Sequence, residues 1–472
     1  MLVRTNLKAG MRAACAAGLM VALAACSSAR PWLNQPIAAD SPTPLSPVQF
    51  ADDGRSPSII GAVTLSGGGA RAAAFGLGVL KELKDTAFEW EGHSTSLMDE
   101  MGLVSGVSGG SILATYYAAF GDETFARFEA DFLLQDFQAG VIAHAFSPSS
   151  LYRISSPWYG RSNVLAEKLD KLYRGKTFAA LQGRPGAPRL LVTATDLTTG
   201  APFEFTPEQF ALICSDLNSV PLSFAVAASS SVPLLLSPVT VRNFAGRCPQ
   251  SQQVAAAVRG ENNLQARLLH ASVYSYLDAE ERPYLHLVDG GLIDNLGVRG
   301  LLVRAVAGGS LDASFKHLPS GSVHKIVLVS VNSEKDLGDR IDRSERVPGI
   351  GQVINALVFG AGSRATGETL ATMKDNVHRW NEELAAVRGK DDSPFAADAE
   401  LYVINVSLRD VEDAGQRNVL LQVPTALTIL PWQVTQLQDA GRAALRASPE
   451  YRRLRASLPP PAADARSKEG GS

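Results

Sequence analysis

Gly102-Leu103-Val104-Ser105-Gly106-Val107-Ser108-Gly109-Gly110-Ser111 is the stretch that decides the fold. A strand-forming run, Gly102 to Ser105, enters it, and a helix-forming run, Ile112 to Ala119, leaves it. A serine between glycines at a strand-to-helix turn reads as a nucleophile elbow, because the glycines permit a strained backbone that lifts the hydroxyl clear of the fold. The helix N-terminus behind it favours the negative charge that develops during acyl transfer. In a chain of 472 residues with 41 glycines, G-x-S-x-G also arises by chance. The motif's neighbours therefore carry the decision.

Upstream, Ile59 to Leu65 is a short apolar run that reads as a buried strand. It ends in Ser66-Gly67-Gly68-Gly69-Ala70-Arg71, followed by a helical pattern through Leu83. Three glycines between strand and helix let consecutive N–H groups turn toward one point, an anion cradle for a phosphate or for an oxyanion. No Gly-Lys-Ser/Thr follows and the G-x-G-x-x-G fingerprint is absent, which argues against nucleotide binding. Downstream, Leu190 to Asp196 and Pro202 to Phe205 read as strands, and Ser223 to Ser230 as a small-residue helix. Ser229, Ser230 and Ser231 lack a glycine elbow, so they read as allowing close helix packing. The strand Tyr284 to Val288 delivers Asp289-Gly290-Gly291 at its C-terminal end, where ligand chemistry gathers in open α/β sheets. Asp294 or Asn295 then caps a helix expected near Leu296.

Two more strands, Lys325 to Val331 and Leu401 to Val406, flank a long helix expected from Gln352 to about Leu384. A last helix is expected over Gln433 to Arg455. Its Arg442, Arg446, Arg452, Arg453 and Arg455 form either a solvated face or a contact with anionic lipid. Between the elbow helix and Leu190 lies a stretch of large apolar residues, among them Phe132, Phe137, Ile142, Phe146, Leu151, Tyr152 and Trp158, broken by Pro148 and Pro157. It reads as ordinary core or as a cap over an apolar pocket. Strands alternating with helices over about 400 residues predict an α/β fold, one doubly wound and mainly parallel sheet between helical layers.

Composition agrees with a globular protein: 46% hydrophobic and 19% charged residues, with net charge −3. Nothing in that balance recommends a nucleic-acid partner. At the N-terminus, Arg4, Lys8 and Arg12 precede a short apolar core, Ala13 to Ala24, and then Leu23-Ala24-Ala25-Cys26-Ser27. A plain signal peptide ends in small residues and requires no cysteine. The cysteine after Leu-Ala-Ala resembles the lipobox of bacterial lipoproteins, which implies cleavage before Cys26 and its acylation. Several acyl chains make a stable anchor where one is marginal. The alternative is a soluble secreted protein with an incidental cysteine. Ser27 in place of an aspartate resembles outer-membrane-directed lipoproteins, so the expected location is the bacterial envelope, on the periplasmic side of the outer membrane. Residues 1–25 then form the signal, 26–56 a proline-rich tether, 57–456 the globular domain and 457–472 a disordered tail. Two cysteines remain, Cys214 and Cys248. In an oxidising compartment they either pair or stay as two buried thiols.

The ordered set Gly67-Gly68-Gly69-Ala70-Arg71, Gly106-Val107-Ser108-Gly109-Gly110 and Asp289-Gly290-Gly291 resembles the patatin-like phospholipase family over roughly residues 57 to 410. The resemblance implies a three-layer α/β/α fold and a lipid acyl hydrolase with a Ser–Asp dyad. It makes Ser108 the nucleophile and Asp289 the base. The N–H groups of Gly67, Gly68 and Gly69 become the oxyanion hole, with Arg71 a cation for the lipid phosphate. A phospholipid or other acyl-ester lipid is the implied substrate, with neither metal nor cofactor. Ala72 stands where many members carry glycine, a glycine that many members reach one residue sooner stands here at Gly78, and Gly297 replaces a proline often found after Asn295. The Arg-Ala spacing looks more like the cytosolic phospholipase A branch. Two rival readings remain: a Ser-His-Asp esterase using His317, His324 or His378, and an inactive lipid-binding envelope lipoprotein.

Overall fold

The computed structural model describes residues 27–38, 55–182, 184, 186–258, 263–307, 309–335 and 344–461. Among them β1 (Ile59–Leu65), β4 (Met101–Gly106), β5 (Arg189–Asp196), β6 (Pro202–Glu204), β7 (Val239–Arg242), β8 (Tyr284–Asp289), β9 (Val323–Asn332) and β10 (Phe395–Ser407) form one sheet. The strand order is β10-β9-β1-β4-β5-β8-β7, with β6 paired to β5. From β10 to β5 the neighbours are parallel. β6 and β8 run against β5, and β7 runs against β8. A separate hairpin, β2 (Ala87–Trp90) and β3 (His93–Ser96), has no counterpart in the sequence reading.

The helices that shape the site and its surroundings are α1 (Gly69–Asp85), α2 (Gly109–Phe120), α3 (Phe137–Ala145), α4 (Pro148–Ile154), α5 (Arg161–Leu172), α6 (Leu222–Ser229), α7 (Arg299–Ala307), α8 (Ile350–Val387), α9 (Pro431–Ala447) and α10 (Pro449–Ala456). β1 shows why they form two layers. All seven of its residues are buried, the mark of a strand covered on both faces. Val63 and Leu65 join a core with Leu77 of α1, Leu113 of α2, Val226 of α6 and Leu437 of α9. Ile60, from the opposite face, joins Leu302 of α7 with Met373 and Trp380 of α8. Side chains alternate across the pleat, so one apolar run feeds two cores.

The helix expected over 433–455 is two helices, because Ser448 and Pro449 cap a new start, the Ser448 Oγ accepting from the Tyr451 N–H. Three of its arginines are engaged by the protein: Arg442 and Arg446 with Glu82, Arg442 also with Asp85, and Arg453 with Glu450 and over the Tyr402 ring. Arg442, Arg446 and Arg453 are thus tied to the protein's own carboxylates. Ser457 and Leu458, assigned to the tail, pack on the domain; residues 462–472 lie outside the described ones.

The segment expected as a free tether is partly bound to the domain. Ser27 to Ala38 is a strap laid on the domain, while 39–54 and the proposed signal 1–25 lie outside the described residues. Asn34 is buried and donates from Nδ2 to the Ser215 Oγ and the Arg242 carbonyl, both at 2.8 Å. Trp32 packs edge-on against Phe224 at 4.6 Å, and Ile37 joins Cys214, Phe244 and Cys248. Prolines and missing periodicity exclude a helix, but they do not exclude an extended segment whose few apolar residues find pockets. Under this strap Cys214 and Cys248 are joined in a disulfide with Cα atoms 5.7 Å apart.

α9 reaches α1 through glycine. A methyl group on Gly441 would overlap the Phe75 carbonyl oxygen, whereas Gly367 in α8 has nothing within 4 Å. Gly441→Ala is expected to lower stability by about 1–3 kcal/mol through overpacking. Gly367→Ala should raise it by about 0.5–1 kcal/mol through helix propensity. Denaturant midpoints of the two variants measure both effects.

Candidate active site

Two strand-to-helix turns meet at the C-terminal ends of β1 and β4, which are adjacent and parallel. At the second turn Ser108 has φ 49° and ψ −120°, a conformation that costs a non-glycine residue on the order of 1–3 kcal/mol. The flanking glycines allow it by close approach. A methyl group on Gly109 would overlap the Gly69 backbone, and one on Gly110 would overlap the Leu65 and Ser66 carbonyls. The elbow and the glycine-rich turn are therefore in backbone contact.

Asp289 reaches Ser108 by a route the sequence reading did not contain. β4 ends at Gly106, opposite Val192 of β5, and β5 continues to Ala194. There the antiparallel β8 pairs Asp289 with Ala194. The carboxylate is buried, and its Oδ1 accepts the Gly291 N–H at 2.7 Å. Burial pushes its pKa from 3.8 up to about 6, opposed by hydrogen bonding from the Gly291 N–H and the Ser108 side chain. Desolvation dominates, since an ionised carboxylate loses more hydration than two donors return.

Ser229 and Ser231 hold this pair in place. The Ser229 Oγ accepts the Ser108 N–H at 2.9 Å and donates to the Thr193 carbonyl at 2.7 Å. The Asp289 N–H donates to the Ser231 carbonyl at 3.0 Å, and the Ser231 Oγ donates to the Ala227 carbonyl at 2.7 Å. The small-residue reading missed these roles. A run of three serines at the end of an apolar helix was the available signal.

The glycine turn departs from expectation at one position. The Gly67 N–H donates to the Asn295 carbonyl at 2.9 Å, so it is not an oxyanion donor. Among the described residues the Gly68 and Gly69 N–H groups have no backbone acceptor. Ser333 fixes the turn: its N–H donates to the Ser66 Oγ at 2.8 Å and its Oγ to the Gly67 carbonyl at 3.1 Å. Arg71 is buried and works mainly as a clamp. Its Nε donates to the Ser333 carbonyl at 3.0 Å and its Nη1 to the Val423 carbonyl at 2.6 Å. Burial lowers its pKa to about 10, with Glu334 opposing, so it stays charged at neutral pH. It lines the cavity, but two of its nitrogens are already committed.

Asp294, offered as a helix cap, is buried and accepts the Arg299 N–H at 2.8 Å, so α7 starts later than expected. Gly297 has φ +66°, a value proline cannot adopt, which accounts for the missing proline.

The cavity at Ser108 is about 70 Å³ and is bounded by Gly67, Gly68, Arg71, Val232, Asp289, Leu292 and Asn295, with Gly362 of α8 on its far side. No histidine is among the described residues lining it. His324 pairs with Asp398 at 2.7 Å near the start of β9, the sheet edge opposite Ser108. His378 lies on α8 with Glu382 at 3.3 Å and is exposed, as is His317. The structure does not assemble a Ser-His-Asp triad from them.

A family model described as patatin-like phospholipase matches residues 63–302, just over half of the chain. The chain belongs to the patatin-like phospholipase family, a family of serine lipid hydrolases. Nothing among curated protein sequences matches it. Similar solved structures include human GIVD cytosolic phospholipase A2, at 12% identity and TM-score 0.45, covering 85% of this chain and 62% of that one. VipD from Legionella pneumophila is similar at 12% identity and TM-score 0.32, covering 84% and 67%. The chain thus spans about three-fifths of the human protein's length.

Ser229→Ala removes the acceptor of the Ser108 N–H. Hydrolysis of a short-chain chromogenic ester is expected to lose about tenfold in kcat with KM nearly unchanged, the mark of a misplaced nucleophile. Circular dichroism should show the fold retained.

Proposed function

We propose that this chain is a membrane-anchored lipid acyl hydrolase of the phospholipase A type, working through a Ser108–Asp289 dyad. The observation that carries the reading is a serine on a strained elbow facing a buried carboxylate whose pKa sits near 6, in a cavity lined by no histidine among the described residues. An aspartate at its ordinary pKa near 3.9 is a feeble base for a hydroxyl. Burial beside Val232 and Leu292 brings it into a useful range.

In the first half-reaction the Ser108 Oγ attacks the ester carbonyl carbon while its proton passes to Asp289. The Gly68 and Gly69 N–H groups face the oxyanion, a contribution on the order of 3 kcal/mol per donor in comparable sites. Collapse breaks the ester C–O bond, and the leaving alcohol takes the proton from Asp289. In the second half-reaction Asp289 draws a proton from water, which attacks the acyl-enzyme. The carboxylic acid leaves, and Ser108 recovers its proton from Asp289. Every atom transferred comes from the ester, the water or the dyad.

The same reading takes Cys26 as the acylated residue, the envelope as the location and the periplasmic face of the outer membrane as the site of action. Acyl-ester lipid, with phospholipid first, is the proposed substrate class. Arg71 lends its positive field to the anionic part of such a lipid, acting mainly through the turn that it clamps.

Ser108→Ala and Asp289→Asn are each expected to lower esterase turnover by more than about a thousandfold, with the double variant little worse, since the pair acts as one unit. Alanine at His317, His324 or His378 should leave the rate within about tenfold. A histidine variant that fell as far as Ser108→Ala while folded would replace the dyad with a triad. A folded wild-type protein inert toward every ester would favour the binding-protein reading.

The pH profile follows from the direction of the Asp289 shift. A base works as the carboxylate, so kcat/KM should rise with pH through a single ionisation near 6 and stay level above it. Asp294 is also raised to about 6 by burial, so Asp294→Asn is the control and should keep that inflection. Full activity down to pH 4.5 would rule out a raised Asp289 as the base.

A further inference from the structure

The aromatic stretch after the elbow helix divides in two. Phe132 and Phe137 are core, but Ile142, Phe146, Leu151, Tyr152 and Trp158 are exposed, Phe146 at 71%. Leu234 and Leu235 join them on the turn that follows Val232, a residue of the cavity wall, with Leu235 exposed at 68%. Leu234 stands at φ 72°, a strained state for a branched side chain, and it holds two leucines outward. These residues form one surface because α5 ties them together. Glu167 of α5 binds His144 of α3 at 2.8 Å, Arg153 of α4 at 2.9 Å and the Tyr159 hydroxyl at 2.5 Å. At the start of α5, Arg161 donates to the Leu234 carbonyl at 2.8 Å and Ser162 to the Ser237 carbonyl at 2.5 Å.

The N-terminal strap ends on this surface. Ser27 is 1% exposed and its N–H donates to the Ser155 Oγ at 3.3 Å. The Ser156 Oγ donates to the Ala29 carbonyl at 2.7 Å, and Arg30 lies 3.4 Å over the Trp158 ring. The residue before Ser27 in sequence is Cys26.

Charge points the same way. Arg30 over the Trp158 ring and Arg161 on the Leu234 carbonyl are both exposed, while Arg153 is paired with Glu167. An apolar patch that carries two exposed arginines matches the interface of an anionic bilayer, where apolar side chains sink to the acyl boundary and arginines meet headgroups.

We propose that this surface docks into an anionic lipid bilayer and sets the mouth of the Ser108 cavity on the membrane. The proposal rests on the reading of Cys26 as the acylated residue. The strap then holds the anchored end against the docking face, and the domain does not swing on a free tether. Phospholipid reaches Val232 from the bilayer over Leu234 and Leu235.

The test uses the full-length processed protein on vesicles of phosphatidylglycerol and phosphatidylcholine, with bromine on the acyl chains of the phosphatidylcholine. Tryptophan fluorescence should be quenched, and Trp158→Phe should remove most of the quenching. Phe146→Asp with Leu235→Asp should lower hydrolysis of vesicle phospholipid by about tenfold or more while a soluble short-chain ester is cleaved within about twofold of wild type. Mass analysis of the mature N-terminus, run alongside, separates the two ideas. An unmodified Cys26 with Trp158 still quenched sinks the anchor and keeps the docking face. An acylated Cys26 with Trp158 unquenched overturns the docking face. Unquenched Trp158 with an oligomeric state altered by the paired aspartates assigns the surface to a protein partner and equally overturns it.

Discussion

The backbone contact between the turn after β1 and the turn after β4 is the constraint on which the site depends. Side chains at Gly109 or Gly110 would push the turns apart, because each meets backbone of the first turn that has nowhere to move. Closing them sets the glycine turn in backbone contact with the elbow that carries Ser108. It also requires the parallel pairing of β1 with β4, since only adjacent parallel strands end at the same edge. The sheet order beyond them supports this arrangement. Ser333, just past the end of β9, braces the glycine turn, and β5 pairs with β8, which brings Asp289 to the serine.

Around this contact the protein places its polar groups at a stability cost. Ser108 holds an unfavourable backbone, and Asp289 is buried where its charge is disfavoured. A raised carboxyl pKa means that ionising the folded protein works against folding, a cost fully present above about pH 6 and absent below the unfolded value of 3.8. Hydrogen bonds accepted by Ser229 and Ser231 and donated by the Gly291 N–H fix the two groups against relaxation. Strain and desolvation at one point, offset by two large cores elsewhere, are what a preorganised site requires.

The second organising feature lies outside the cavity. The aromatic residues of α3 and α4 and the Leu234 turn are joined through Glu167 and Arg161 of α5, and the strap rests on Ser155, Ser156 and Trp158 between α4 and α5. Cavity wall and outer surface therefore share one rigid support, and the residue that follows Cys26 is part of it.

Much of this was legible in the sequence where local chemistry acts alone. The apolar runs of β1, β4, β5 and β9, the glycine turns and the elbow at Ser108 announce themselves, because strand burial and tight turns restrict residue type within a few positions. The order of the three glycine-bearing motifs was enough to bring Ser108 and Asp289 into one hypothesis. What only the tertiary structure decided depends on partners distant in sequence. Gly67 lost its place as a donor to a carbonyl 228 residues away, at Asn295. Arg71 became a clamp because Ser333 and Val423 bring carbonyls to it. β8 turned out antiparallel, since strand direction depends on how the chain crosses the sheet and leaves no mark on its own residues. The same physics turned a proline-rich segment into a strap: extended backbone has no period to read, and only the surface beneath it decides whether Trp32, Asn34 and Ile37 have somewhere to bind.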